Sequence, residues 1–467
     1  MRTILFHDIR FICRNKPIFI TSIVLLILLV LSAWMGRAEL QKHNALREEI
    51  HKEIRQQWEK LDSLNPHSAA HYGSYAIKPQ GMLSFFDEGV NGVTGNIIRL
   101  EGHAQNETNY ALHSQSLFIS RFGKLKPKII LQYLVPLFLI LLTYALISSE
   151  RNPSRAGLLL VQLKNPKLLG FWHTLSLWLF SMLFPMAGLL FPLLFNYGDP
   201  VPIANIIALW VVYSLFYFIL IAFTVVLTVG PKKTEIGLTA SLGIWIFWSF
   251  FLPKIWANEA ELKYPLPSRQ DFTKNMEEDR SKGIDGHNPS DEREKELEKE
   301  TLKKYGVDSL SQLPVNFDGI VMQADEEYGN IVWDKHFGGL DSTIQLQNNF
   351  YAQSAYLDPF TGLQILSMHY CGSDMNHHID FTRASEKYRR NLIKTLNDYM
   401  AFGGSKTGDW SWKADNHFFR SIPDFNYREP NYHLLFHPSS KALLPYFIWV
   451  VLMFAFLFLI PFKYRER

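Results

Sequence analysis

Six uncharged stretches of membrane length, set apart by two long polar segments, constrain this 467-residue chain more than any other feature. A bilayer core needs about 20 apolar residues per helix. Pro17–Gly36, Ile129–Ser149, Leu168–Gly198, Val201–Gly230, Ile236–Pro253 and Ala442–Phe462 all meet or approach that length. The third and fourth exceed a minimal span, which predicts tilt or interfacial ends. Ile236–Pro253 is the shortest, but Trp245, Phe247, Trp248, Phe250 and Phe251 favour a span. Several windows are apolar all round rather than on one face, which argues against core helices of a soluble protein. The mean hydropathy of −0.03 then averages six spans with two polar domains. A single soluble globule and a bundle with short loops are both excluded. The net charge of +3 is too small to indicate nucleic acid.

Pro17–Gly36 follows a 16-residue lead with Arg2, Arg10, Arg14 and Lys16, and no A-x-A site follows it. It reads as an uncleaved span. Lysines and arginines set orientation. They occur in the lead, in the segment between spans two and three (Arg151, Arg155, Lys164, Lys167), at Lys232 and Lys233, and in the tail 463–467. With six spans these lie on one face, so both termini are expected in the cytoplasm. Arg121, Lys124, Lys126 and Lys128 oppose the rule, but they close a loop of about 90 residues, and long loops obey it poorly.

Arg37–Lys126 and Lys254–Lys441 are then extracytoplasmic. Glu39–Leu61 reads as a helix continuing out of span one, before a glycine-rich stretch (Gly81, Gly89, Gly92, Gly95) of turns and short strands. In the second segment Asp291–Lys304 reads as a solvated helix, with Glu300 and Lys304 at helical spacing. Asn376–Phe402 repeats Ala384, Tyr388, Leu392, Leu396 and Met400 as an amphipathic helix packed on its own domain. Val315–Trp333 and Thr407–Tyr432 read as irregular. The expected fold class is an α-helical polytopic membrane protein with six transmembrane helices and two extracytoplasmic mixed α/β insertions.

The two cysteines, Cys13 and Cys371, fall on opposite faces and cannot pair within one chain. All histidines but His7 and His173 fall in the polar segments. The densest group is His369, Asp374, His377, His378 and Asp380. Adjacent histidines on a helix point about 100° apart, so these read as surface or capping residues, with Asp374 as a helix cap. No metal, catalytic or cofactor-binding residues are assigned. No G-x-S-x-G elbow and no Walker A motif occur; Gly403–Gly408 (GGSKTG) lacks the glycine before the lysine. The spans hold no Asp, Glu, Lys or Arg, which disfavours ion-coupled transport. His173, near the inner end of span three, reads as interfacial.

In the segment 149–170 (SERNPSRAGLLLVQLKNPKLLG), Asn152-Pro153 is expected to start a short helix and Asn165-Pro166 to end it. A two-turn apolar helix flanked by basic residues suits either a groove on another protein or lipid headgroups. Here the chain resembles the permease subunits of ABC-2 type transporters. Glu150, Arg151, Gly157, Leu158, Leu159 and Leu160 match their E-[RK]-x-x-G-[TS]-L-x-x-L-L-like stretch, with an altered spacing between Glu150 and Gly157. In that family the stretch is the coupling helix that docks on the nucleotide-binding subunit. The lead resembles the family's amphipathic connecting helix, with Ile4, Leu5, Ile9 and Ile12 on one side and Asp8 and Arg14 among the polar positions.

The second polar segment resembles that of a bacterial group of these permeases with large periplasmic insertions. The matching residues are Asp358-Pro359, Leu363-Gln364, Gly372-Ser373-Asp374, His378, Phe381 and Tyr388-Arg389; the group has Ser before the proline and Thr before the aspartate. The resemblance implies an inner-membrane export permease with no cofactor of its own, ATP and Mg being held by a partner ATPase. Implied partners are that ABC ATPase, a second permease copy or homologue, lipid and a periplasmic protein. It supplies no substrate. A membrane-anchored extracytoplasmic enzyme or sensor, and a structural part of an envelope machine, are the other classes the topology allows.

Overall fold

The computed structural model describes residues 2–61, 63–109, 123–150, 168–194, 202–231, 233–428 and 441–459. Two helices open the chain: α1 (Arg2–Arg14) and α2 (Lys16–Glu59). Asn15 separates them, its side chain accepting from the Ile18 N–H, and Pro17 occupies the first turn of α2. As expected, α2 runs unbroken from the first apolar window into the polar segment, a length of about 66 Å for its 44 residues. Its apolar half buries only a stripe at three- and four-residue spacing, Ser22, Leu25, Leu29, Ala33 and Gly36. Phe19, Ile20, Ile23, Val24 and Ile27 remain exposed. Such a broad apolar band is suited to lipid, not water.

Among the described residues, five helices are long and apolar enough to cross a membrane: α2, α4 (Pro127–Glu150), the broken pair α5 (Leu169–Ser181) and α6 (Leu183–Leu194), α7 (Ile203–Val229) and α8 (Thr234–Lys263). A shorter apolar helix, Leu443–Leu459, packs against α7. The chain is an α-helical membrane protein. At the centre of the apolar bundle, α7 buries Tyr213, Phe216, Tyr217 and Ile221 almost completely. The third window breaks at Met182, where the ring of Pro185 obstructs the carbonyl four residues earlier. The fifth window does not end at Pro253. A π turn over Phe247–Phe251 widens the helix just before that proline, and α8 continues to Lys263. A π turn over Ile130–Leu134 precedes Pro136 in α4 in the same way.

The polar segments form one body. From the first come α3 (Pro66–Tyr72) and a two-stranded antiparallel sheet, β1 (Ser74–Ile77) against β2 (Ile97–Leu100), with Ser74 opposite Leu100. From the second come α9 (Arg269–Lys282), α10 (Ser290–Tyr305), α11 (Phe317–Gln353), α12 (Pro359–Tyr370), α13 (Met375–Phe402) and α14 (Asn416–Ser421). One core joins Trp58, Ala69 and Ala70 to Leu392, Leu396 and Phe419; another joins Ala76, Ile98 and Leu100 to Phe381 and Phe425.

The mixed α/β expectation is corrected in one respect. Among the described residues the named strands are confined to the first segment, and the second is helical. Val315–Trp333, expected to be irregular, lies largely in α11, which Asn316 caps by accepting from the Asp318 N–H. The glycines that resemble turn punctuation serve packing instead. A Cβ at Gly319 would stand 2.5 Å from the backbone nitrogen of Ala401, so α11 and α13 touch backbone to backbone there. Gly338 of the same helix has open space around it. Gly319→Ala is therefore expected to lower stability by about 1–3 kcal/mol. Gly338→Ala should raise it by about 1 kcal/mol through helix propensity. Thermal unfolding of the two detergent-purified variants checks the opposite signs.

Candidate functional site

At the end of the bundle that carries α1, a buried carboxylate–imidazole pair ties α1 to α5, and a third helix, α4, ends close by. Asp8, expected among the polar positions of α1, falls with Ile4 and Ile12 on the buried stripe, while Ile9 is exposed. Its Oδ2 accepts from Nδ1 of His173 at 2.8 Å. His173, expected at an interface, is 1% exposed, as is Asp8. The spacing of Ile4, Asp8 and Ile12, one turn apart each time, is the sequence signal for this face. His7 bridges onward, with Nδ1 3.1 Å from Asp8 Oδ1 and Nε2 3.4 Å from Glu150 Oε1. Glu150, the first of the family-motif positions, is itself buried at the end of α4. Arg151, Gly157, Leu158, Leu159 and Leu160 lie outside the described residues, as does the rest of 151–167. The described part of the site is thus a junction of α1, the end of α4 and the start of α5, from which that loop departs.

Burial pushes the Asp8 carboxyl up, but the bonds from His173 and His7 outweigh it and hold the group below the usual carboxylate value. Asp8 therefore stays ionised at neutral pH as the acceptor at this junction.

At the opposite end, where the polar body sits on the bundle, a second buried chain of polar groups closes the seam. Asp87 Oδ1 accepts from Lys128 Nζ at 2.6 Å, and its Oδ2 accepts from Ser367 Oγ at 2.7 Å. Ser367 Oγ lies 3.1 Å from the Tyr213 hydroxyl, which accepts from Gln132 Nε2 at 2.9 Å. Tyr446 donates to Val212 O, and Asn205 donates to Tyr370 O. The first polar segment, α4, α7 and α12 therefore converge on one buried network, whose members are too far apart in sequence to be grouped by pattern.

The family-motif positions of the second segment frame this seam. Pro359 begins α12, and Asp358 caps it, accepting from the Phe360 N–H and from Thr361 Oγ1. Burial pushes the Asp358 carboxyl up to about 7. Gly372 ends α12 in the left-handed region at φ +67°, where glycine carries no Cβ penalty. Ser373 O then accepts from the Val90 N–H of the first segment at 2.9 Å. Asp374 caps α13 as expected, accepting from the His377 N–H at 3.0 Å. Its carboxylate also lies 2.7 Å from His377 Nδ1 and 3.2 Å from His369 Nδ1. These histidines are buried rather than at the surface. His378 is buried too, and its pKa is driven down to about 3 by burial and by Lys78.

Phe381 lies fully buried against Phe425 and Tyr427. Tyr388 donates to Pro423 O at 2.7 Å, and Arg389 is locked in a buried ion network. The motif therefore reads as caps, a turn and a core that hold the polar body together and seat it on the bundle. A cavity of about 540 Å³ opens beside β2, α11 and α13, lined in part by Arg99, Asp334, Asp341, Arg383 and Arg390. Its walls carry charges of both signs among apolar side chains such as Trp333 and Phe337.

Residues 269–428 match the family model described as "Domain of unknown function (DUF3526)". That stretch is α9 through α14 with the chain immediately after, so the likeness lies in the polar body and not in the membrane helices. No curated protein and no solved structure matches the chain.

Proposed function

We propose that this chain is the membrane subunit of an ATP-driven exporter of the ABC-2 type. The observation that carries the reading is the buried Asp8–His173 pair, which joins α1 to α5, with His7 of α1 3.4 Å from Glu150 at the end of α4. A connecting helix fixed to a span is what a separate ATPase needs to move a bundle. The long apolar helices and the lack of a Walker A motif support the same division of labour. In this reading the chain crosses a bacterial inner membrane six times, the sixth span being Leu443–Leu459 with its flanks, and both termini are cytoplasmic. Two such subunits, identical or related, line the pathway. Two copies of the ATPase close on ATP and push on 150–170 and α1, and the bundle turns as rigid bodies. The Asp87–Ser367–Tyr213–Gln132 network keeps the far end shut until that happens. The polar body stands in the periplasm, where it receives cargo or a partner protein.

Co-purification tests this. A cytoplasmic ATPase is expected to accompany the full-length chain and to lose both association and stimulated ATP hydrolysis when residues 156–163 are deleted. An association and an activity unchanged by the deletion would refute the coupling role.

A further inference from the structure

The polar body carries a second histidine group, apart from those around Asp374. His67 and His71 stand one turn apart on α3, with their Nε2 atoms 3.0 Å from each other. His103, from the turn after β2, brings its ring to 5.5 Å from His67 and 5.2 Å from His71. One ligating nitrogen from each of the three lies within 4.8 Å of the other two. On a tetrahedral zinc with Zn–N bonds of about 2.0–2.1 Å, two ligand nitrogens stand about 3.3 Å apart. The His67–His71 pair is already close to that edge.

The third histidine is fixed from three sides. His103 has left-handed backbone at φ +63°, a conformation unusual for a residue with a side chain. Its N–H donates to Glu326 Oε1, its carbonyl accepts from Arg280 at 2.6 Å, and its Nδ1 lies 3.1 Å from the same Glu326 oxygen. Glu326 is buried. Its other oxygen, Oε2, accepts from Arg389 at 3.1 Å. A carboxylate on Nδ1 favours the tautomer that leaves Nε2 with its lone pair outward, the outer-shell arrangement that metal-bound histidines use.

We propose that His67, His71 and His103 bind one zinc-class divalent transition-metal ion, with Glu326 orienting His103 and a fourth coordination position open to water or a ligand. Three imidazoles without a thiolate or a carboxylate in direct ligation suit Zn²⁺, and Co²⁺ as its probe, over Mg²⁺ or Ca²⁺. His71 is exposed and the other two are partly so, which leaves the site reachable from solvent. Through Glu326 the ion would tie α3 and the β2 turn of the first polar segment to α11 of the second. The group His369, Asp374 and His377 makes a natural contrast. There both Nδ1 atoms face the carboxylate, and the carboxylate is already the cap of α13. The site does not depend on the transporter reading, since it lies wholly within the polar body.

The test uses the full-length chain in detergent, stripped of metal by chelator and reloaded with Zn²⁺ or Co²⁺. One Zn²⁺ per chain by elemental analysis is expected, with visible absorption from Co²⁺ in a four-coordinate site that Zn²⁺ displaces. His71→Ala changes an exposed residue on a short helix and should leave unfolding of the metal-free chain unchanged. It should weaken binding at least 100-fold and abolish the cobalt bands. His103→Asn keeps a residue that tolerates the left-handed backbone and should do the same. His377→Ala should leave metal content intact. Sub-stoichiometric zinc in the parent chain, or His71→Ala retaining full affinity and the cobalt spectrum, would overturn the proposal. So would loss of metal on His377→Ala with retention on His71→Ala.

Discussion

Arg389→Met is expected to cost the polar body about 3–5 kcal/mol, the effect of removing one partner from a buried ion network. The guanidinium is 1% exposed. Its Nε and one terminal nitrogen hold both oxygens of Glu386 at 2.8 Å, and the same terminal nitrogen reaches Asn330 Oδ1 at 2.9 Å. The other terminal nitrogen reaches Glu326 Oε2 at 3.1 Å and Glu101 O at 3.3 Å, while the Trp333 ring lies 4.6 Å away. Methionine fills much of the volume but leaves the buried Glu326 without its guanidinium, while Glu386 keeps only Arg390. Lysine would restore the charge and not the fork, so Arg389→Lys should recover only part of the loss. Arg390→Met is the comparison. Arg390 contacts Asp334 and Glu386 from a more exposed position, and about 1 kcal/mol or less is expected there. Thermal unfolding of the detergent-purified chain, followed by tryptophan fluorescence, reads both. Equal effects at the two positions would show that Arg389 is not the keystone of the network.

Asp8→Ala should release α1 from the bundle without unfolding the rest of the chain. The substitution removes the acceptor of His173 Nδ1 and a partner of His7. A buried pair broken in this way costs about 3 kcal/mol, which is on the order of a 100-fold rise in the open population. Arg10 and Arg14 are exposed on α1, so trypsin cleavage after them reports that population. Cleavage should rise by about two orders of magnitude, while sites in the polar body stay protected.

The pH dependence has a definite sign. The folded value of Asp8 lies below its unfolded value, so its contribution is complete above the ordinary carboxylate range and fades as the pH falls through the lower, folded value. Protection of α1 in the parent chain should therefore be steady from neutral pH to about 5 and fall in more acidic solution. The groups facing Asp8 are His7 and His173, with Glu150 beyond His7, and Asp8→Asn should remove the acid-dependent step. Cleavage that rises equally in both proteins would show that another group controls the attachment.

The elements that depend on local chemistry are legible in the sequence. Apolar windows long enough for a bilayer stand out because burial in lipid requires that length and tolerates no charge. Helix α13 and its cap at Asp374 follow from apolar spacing and from an aspartate ahead of the first turn. The continuation of α2 past the membrane and the solvated helix α10 are equally readable. The departures share one cause. Gly319 and Gly329 suggest turns around Val315–Trp333, yet they lie in a 37-residue helix, and at Gly319 the partner backbone approaches too closely for a Cβ. A glycine's lack of a side chain is visible in sequence; whether it serves a turn or a close contact depends on what lies beside it.

The candidate sites follow the same division. His67 and His71 share one face of α3, a helix that the sequence pattern does not mark, and His103 and Glu326 come from distant parts of the chain. Asp8 meets His173 across 165 positions, and Asp87 meets Ser367 across 280. The order of residues is enough to establish a helical membrane protein, where its apolar helices begin, and that two polar segments interrupt them. These follow from solvation and helix periodicity, which act over a few neighbouring residues. Tertiary packing alone makes the two polar segments one body, buries Asp8 and His173 as partners, and brings three histidines together over a carboxylate. Those outcomes rest on contacts between residues far apart in the chain, whose packing is needed to shield a charge or to place three imidazoles around a common point.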